Sequence, residues 1–521
     1  MKLTINLKYD TIYGENLYIK GSVKSLHGKT GDGIPMEYVG NGSWAVTFYT
    51  EAKSFKYLFN VLNGNAIVNT EEELSHRFES YGDAYKTILI FDHFGMYPKL
   101  PRILQSAALS KAIRHHKTAA KKKSMPKVPI VFNTWSTSVN FNHTLSIVGS
   151  HPSLGSWNEN DAVAMEAIEY PNFTKILDAN KLQFPLEYKY AITDPKNGTL
   201  LHWEESYNHI LNPEISMATD LIIVNDITPD FSVPDLRIAG TAVPIFSLRT
   251  KESFGCGEFL DLKKLGDWAY KTGQRIIQTL PINDTTVFGS WRDSYPYSSI
   301  SVFALHPMYL NLEKIGTLKN EAEYKKKRKE LNNQEFVDYE AVNKQKWMFI
   351  HEQFSSYGEA TFSSPDYKTF FESNKYWLKP YAVFSFLRYK HDTADFSQWG
   401  EDAVFNPKRI DGYCQSKSKN YKDVAVHFFV QYHLHTQLLE SVQYLHSKGI
   451  ALKGDIPIGV NRNSVDVWMQ PRLFDCNGSA GAPPDYFTKT GQVWGFPIYD
   501  WQEMAKDDYS WWKNRINLSV L

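Results

Sequence analysis

"FLDLKKLGDWAYKTGQRIIQTLPIN", residues 259–283, reads as a helix that closes on a glycine and passes at once into a strand of buried type. Upstream, "TAVPIFSL" (241–248) reads as another strand of the same kind. A helix-rich stretch runs from about 313 to 420, and then comes the long helix "VAVHFFVQYHLHTQLLESVQYLHSKG", with a glycine just past its end. The strand "IALKGDIPIGV" follows. Strand–helix alternation with long excursions at the C-terminal ends of strands predicts a (β/α) barrel over 236–521, with a helical insertion at about 313–420. Three barrel strands can be counted.

Before this region the pattern is all-β. Residues 2–94 carry short alternating runs, "LTINLKY", "NLYIKGSV", "SWAVTFYT", "SFKYLFNVL" and "KTILIFDHF", parted by Gly, Asn and Asp. That is the signature of a β-sandwich of about 100 residues. Residues 128–226 repeat the plan: "TLSIVGSHPSLGSW" answers "NLYIKGSVKSLHGK", and "LEYKYAITDPKNG" answers "SFKYLFNVLNG". Gly21 lies 35 positions before Lys56 and Gly149 lies 40 before Lys189, and an Asn-Gly turn follows each glycine by 42 and 48 positions. The ordered set of matches predicts two related domains in tandem, at 1–97 and 128–228. Between them, 98–127 includes "SKAIRHHKTAAKKKSMPK", basic and poor in large apolar residues. It reads as a solvated linker, with a patch for an anionic partner as the alternative.

Composition narrows the function. Lysine plus arginine and aspartate plus glutamate both number 57, so no net charge draws the chain to nucleic acid or to an acidic membrane. There is no apolar run long enough for a transmembrane helix, and the start, "MKLTINLKYD", lacks the apolar core of a signal peptide. The three cysteines, Cys256, Cys414 and Cys476, have no metal-ligand spacing and suit a reducing, intracellular setting. Aromatic residues make up 15%, which suits the C–H faces of sugars and ordinary cores alike.

In the second sandwich, Trp157 of "LGSWN", Lys189 of "EYKY" and Trp203 of "LHWEE" would make a ring platform with a polar handle, or else fill the core. At these positions the sequence resembles the starch-binding domains appended to amylases and glucanotransferases, whose motif has two stacking tryptophans and a lysine. The first sandwich departs from it. "GKTGDG" and "NAIVNTE" stand in place of the tryptophans, so only Lys56 remains and binding by that route is expected to be weak or absent.

In the barrel region, "DSYPYSSISVFALHPMYLNL" (293–312) follows the second strand, and "GDIPIGVNRNSVDVW" (454–468) covers the end of the third. Ligands are met at such strand ends, which singles out Tyr297, Asp455 and Asp466. A carboxylate there grips vicinal hydroxyls or serves as a structural acceptor for loop amides. The stretch "APPDYFTKTGQVWGFPIYDW" (482–501), with Asp485 among its polar groups, matches no regular element. Ligand contact, a packing lid and a partner-binding segment all stay open for it.

These motifs, in this order, resemble the amylomaltase family of 4-α-glucanotransferases. With two starch-binding domains in front, the resemblance narrows to the disproportionating-enzyme type and covers essentially all of 1–521. It implies a multidomain architecture: two N-terminal all-β starch-binding sandwiches, then the N-terminal part of a (β/α)8 TIM barrel with a helical insertion. It implies cytosolic transfer of glucosyl units between α-1,4-glucans such as maltose and a glycogen-like acceptor, by retaining double displacement. No metal or cofactor is implied, nor any nucleic-acid or membrane partner. Tyr297, Asp455, Tyr486, Phe487, Gln492 and Trp494 are implied to line the subsites. The family's nucleophile lies in an Arg-x-Asp-His run on the fourth strand. The lookalike "KRIDGYC" (408–414), with Arg409 and Asp411, lacks the histidine and follows "FNP" rather than a strand. The expectation is therefore that no catalytic carboxylate lies within 1–521, that the sequence is part of a longer one, and that alone it binds glucan without turning it over. A non-catalytic glucan-binding protein with a vestigial barrel is the alternative.

Overall fold

The alternation in "KLTINLK" sends Leu3, Ile5 and Leu7 to one face, where all three are buried, and leaves Lys2 and Lys8 at the edges. The computed structural model describes residues 1–28, 31–71, 76–95, 112, 125–139, 143–169, 171–213, 219–231 and 238–519. They form two units, 1–237 and 238–521. The linker reading for 98–127 lies almost wholly outside the described residues.

In the first unit an eight-stranded sheet has the order Glu166–Glu169, Asn172–Asp178, Pro129–Trp135, Leu221–Asn225, Thr87–His93, Lys2–Lys8, Ser43–Tyr49 and Glu37–Gly40. Its two halves meet where Leu221–Asn225 runs parallel to Thr87–His93, with Leu221 opposite Ile88 and Ile223 opposite Ile90. A second sheet packs on each half, one built on Glu15–Gly21 and Ser54–Asn63, the other on Thr144–Gly149 and Leu186–Thr193. Ile88, Ile90, Leu221 and Ile223 join the core of the first half, while Ile222 and Val224 join that of the second, with Leu89 and Phe91 packed on it. The two cores thus lie on opposite faces of one sheet. Strands buried on both faces lose their alternation, which is why "TILIFDH" and "LIIVN" read as continuous apolar runs.

The same turn is built twice. A Cβ on Gly21 would come within 2.9 Å of the Lys56 carbonyl and 2.6 Å of Leu26, and one on Gly149 within 2.5 Å of the Glu187 carbonyl and 2.9 Å of Leu154. A buried polar cluster is repeated as well. Tyr57 donates to Asp92 at 2.5 Å, and His76 lies between Asp92 and Glu71. Tyr188 donates to Asp226 at 2.7 Å, and His209 lies between Asp226 and Glu204. Burial alone would depress His76, but Asp92 and Glu71 outweigh it and lift its pKa to about 10, so the buried ring stays cationic.

The second unit holds a parallel three-stranded sheet, Gly240–Ala242, Ile276–Gln278 and Ala451–Lys453, in that order. The expected strand at 241–248 is shorter than its sequence suggested. Pro244 has no N–H for the ladder, and Ile245–Ser247 turns into a 3-10 helix, although Val243 still donates to Gln278 at 2.8 Å. Helix Asp261–Lys271 links the first two strands, and Tyr421–Ser447 leads into the third. Between them come Glu321–Asn332, Tyr339–Ser363, Pro365–His391 and Pro407–Tyr413. Inside this unit Lys346 bonds Glu258 at 2.6 Å with both side chains almost fully buried. Removing either partner would strand a buried charge, a loss of about 3–5 kcal/mol.

Candidate functional site

The residues singled out above fall in both units. In the first, Trp157 ends the 3-10 segment Pro152–Trp157, where Gly155, Ser156 and Trp157 all have positive φ (78°, 48° and 63°). That left-handed run is strained for Ser and Trp, and it turns the chain at the indole. Lys189 lies on Leu186–Thr193 opposite Val148, and Ala191 of the same strand lies opposite Trp203. Lys189 and Trp203 therefore share a face as diagonal neighbours. Trp203 Nε1 donates to Glu159 Oε1 at 3.2 Å, which draws the turn carrying Trp157 to the strand carrying Trp203. Glu159 went unremarked in the sequence, although it stands only two residues past Trp157. The first half of the unit has Lys56 in its strand, but the next strand, Ala66–Thr70, exposes no ring.

In the second unit the loops after the second and third strands lie together. Tyr297 donates to Asp455 Oδ2 at 2.6 Å, and this bond, desolvation and the charge on Asp455 push the phenol up to about 12. Backbone bonds from Asn461 to Ser299 and from Val465 to Ile300, at 2.9 and 2.8 Å, tie the two loops together. Asp455 lines a groove of about 330 Å³ with apolar walls, including Ile282, Leu305 and Leu438, and polar groups from Asn283, Asn374 and Gln431. A mostly apolar cleft with a few convergent polar groups is the usual form of a ligand site.

Asp466 belongs to a different setting. It is only 5% exposed, and it accepts from Val302 N at 3.1 Å and Trp511 Nε1 at 3.0 Å. Burial raises its pKa to about 6 despite these bonds. The structure shows it accepting from a loop amide, that of Val302, which lines the same groove as Asp455.

The stretch 482–501 is a two-residue ladder, Gly481–Ala482 with Gln492–Val493, carrying a turn at its tip. Asp485 Oδ1 accepts from the amides of Phe487 and Thr488 at 2.9 and 2.7 Å and so shapes that turn. Tyr486 and Phe487 project from it, 96% and 89% exposed, with their rings edge to face at 5.5 Å. Gln492 Oε1 holds Trp494 Nε1 at 2.9 Å. Arg462 anchors the whole stretch, donating to the carbonyls of Gly495, Cys476 and Gly478. Below it, buried Arg515 donates to the Pro457 carbonyl and stacks on Trp511 and Trp512. Neither arginine was singled out in the sequence; Arg462 is the one arginine inside "GDIPIGVNRNSVDVW", and that is its only signal.

The lookalike sits on helix Pro407–Tyr413, where Asp411 pairs with Lys379 at 2.7 Å and Arg409 with Asp402 and Glu401. Among the described residues no group of three or more His, Cys, Asp or Glu is arranged to hold a metal ion, and no helix is long and apolar enough to cross a membrane.

Two family models match the chain. Residues 127–220 match the starch binding domain, and residues 243–520 match the 4-alpha-glucanotransferase family. The chain belongs to the 4-alpha-glucanotransferase family. It is 39% identical over 412 residues to 4-alpha-glucanotransferase DPE2 of Oryza sativa subsp. japonica, which covers 78% of this chain and 43% of that protein. It is 35% identical over 284 residues to the 4-alpha-glucanotransferase of Chlamydia pneumoniae, 53% of this chain and 52% of the relative. The chain thus spans about half the length of these curated relatives. Among solved structures, it is similar to the amylomaltase from Streptococcus agalactiae in complex with acarbose, with 26% identity and a TM-score of 0.46 over 54% of this chain and 57% of that one.

Proposed function

We propose that the protein is a cytoplasmic 4-α-glucanotransferase that moves glucosyl units between α-1,4-glucans, from a donor such as maltose to a glycogen-like acceptor. The observation that carries the reading is the 2.6 Å bond between Tyr297 and Asp455 at the ends of two parallel strands, inside the segment that matches the family. In this reading 1–97 and 128–228 are starch-binding-type sandwiches joined by 98–127, and the second holds glucan on Trp157, Lys189 and Trp203. Residues 236–521 contribute strands of a (β/α)8 barrel with the insertion at about 313–420. Asp455 grips vicinal hydroxyls of a bound glucosyl unit, and the Tyr297 phenol fixes its orientation. Tyr486, Phe487 and Trp494 cover the sugar.

Retaining transfer needs two carboxyl groups about 5–5.5 Å apart, one to attack the anomeric carbon and one to protonate the departing oxygen and then deprotonate the acceptor. Asp455 is occupied by Tyr297, Asp466 by Val302 and Trp511, and Asp411 by Lys379. By the resemblance to amylomaltases, whose nucleophile lies in an Arg-x-Asp-His run that residues 1–521 do not contain, we assign neither role to these three carboxylates. Aromatic cover over the cleft would keep water from the glycosyl-enzyme and favour a sugar hydroxyl as acceptor. The test is glucose release from maltose with glycogen present, for residues 1–521 alone and for the whole gene product. Turnover by the whole product and none by 1–521 is expected. Turnover by 1–521 alone would mean that the nucleophile lies among these residues.

A further inference from the structure

The loop that carries Tyr297 closes on itself at one buried residue. Asp284 N donates to the Ala304 carbonyl at 2.9 Å, and Ile300 N donates to the Asp284 carbonyl at 2.8 Å. Next to that closure, Asn283 forms an isolated bridge with Leu305, and His306 N donates to the Ile282 carbonyl at 3.0 Å. The backbone of Asp284 thus fixes Ile300, three positions past Tyr297, and the Ile300 carbonyl in turn accepts from Val465 of the facing loop at 2.8 Å. Asn283 and Leu305 line the same groove as Asp455.

The side chain of Asp284 reaches the helical insertion. Tyr381, on helix Pro365–His391, donates to Asp284 Oδ2 at 2.7 Å, and Thr286 donates to Oδ1 through its amide and its hydroxyl, at 2.9 and 2.6 Å. Farther along the same helix, Arg388 donates to the Thr286 carbonyl. Asp284 and Tyr381 are each 1% exposed. Burial alone would raise the Asp284 pKa, but His306 and Arg388, with the bonds from Thr286 and Tyr381, bring it below its ordinary value, so the carboxylate is charged. The insertion holds the loop at a second point as well, where Trp291 N donates to Glu340 of helix Tyr339–Ser363 at 3.0 Å.

A fully buried carboxylate contributes little net stability, because its desolvation offsets much of what its bonds gain. Directed, charge-assisted hydrogen bonds supply something apolar contact does not, a fixed distance and angle. Here that geometry runs along one continuous path, from Tyr381 through Asp284 and Ile300 to Val465. The loops it joins are the two that carry Tyr297 and Asp455.

We propose that Asp284 is a positioning residue for glucosyl transfer. It acts through Tyr297: the insertion helix, by way of Tyr381 and Asp284, sets the direction from which the phenol meets Asp455. The joint itself rests on these hydrogen bonds alone, whereas its effect on transfer rests on the function proposed above.

Double-variant kinetics separate positioning from mere support. In the whole gene product, Tyr381→Phe removes one bond to the buried carboxylate and is expected to lower kcat/KM for maltose, with glycogen as acceptor, about tenfold. In a Tyr297→Phe background, where the phenol hydroxyl is already gone, the same change should lower it less than about threefold. An equal loss in both backgrounds would overturn the proposal, because a residue that only supports the fold acts alike with or without that hydroxyl. Hydrogen–deuterium exchange on residues 1–521 gives a readout that needs no activity. Tyr381→Phe should speed exchange at the amides of Ile300 and Val465 at least about fivefold and leave that of Ile277, in the parallel sheet, at the parent rate. Unchanged exchange at Ile300 and Val465 would overturn the joint. A whole product that transfers no glucosyl units would remove the proposed function, and exchange would then decide the joint by itself. Asp284→Asn keeps the shape and removes the charge, and it replaces Tyr381→Phe in both measurements if that variant loses its near-UV circular dichroism.

Discussion

Tyr297 and Asp455, 158 positions apart in the chain, share a 2.6 Å hydrogen bond that holds the loops of two adjacent strands together at their ends. Tyr297→Phe removes the donor and keeps the ring. A hydrogen bond to a charged group is worth about 1.5–3 kcal/mol, so transfer by the whole enzyme should fall roughly 10–100-fold and the melting temperature should drop by several degrees. Steady-state kinetics on maltose beside a thermal melt check this. Unaltered kcat/KM would mean that the carboxylate does not need the phenol.

Trp157→Ala and Trp203→Ala should each weaken retention on a starch or glycogen affinity gel by about 1–3 kcal/mol. Glu159→Ala should act in the same direction by less, because it frees the Trp203 indole without removing it. Unchanged mobility of all three would show that the rings only pack.

Tyr486 and Phe487 stand almost wholly in solvent, so Tyr486→Ala and Phe487→Ala should leave stability within about 0.5 kcal/mol of the parent. The same changes should raise KM for maltodextrin and raise hydrolysis relative to transfer, read as free reducing ends. Normal partition between water and sugar would remove the shielding role.

Asp466 gives a pH dependence with a definite sign. Its pKa rises from 3.8 unfolded to about 6 folded, chiefly through burial, so the folded state holds a proton that the unfolded state has released. Its contribution is complete below about pH 4 and is lost as pH rises through about 6, a change on the order of 3 kcal/mol. Urea titrations of Asp466→Asn should show a flatter stability profile over that window than the parent. Equal slopes would mean that the carboxyl is ionised throughout.

Much of the fold was legible because its signals are local. Gly21 and Gly149 mark the same crowded turn twice, and the runs around them alternate as half-buried strands must. The strand at 241–248 was overread because an apolar run says nothing of length, and Pro244 ends the ladder that the run seemed to continue. At the site, Tyr297 and Asp455 could be named from strand ends, but their bond spans 158 positions and no spacing announces it. Asp466 was equally well placed in sequence; only its burial beside Trp511 separates it from Asp455. Arg462 does its work through three backbone carbonyls, acceptors that every residue carries and no sequence pattern marks.

The pairing of Thr87–His93 with Leu221–Asn225 has a consequence for inheritance and engineering. Each strand supplies alternate side chains to its neighbour's interior, so neither half can be excised without leaving a greasy, hydrogen-bond-hungry margin on the other. Although the two halves look like beads on a string, they should melt as one, be gained or lost as one, and fail as fusion tags when cloned singly.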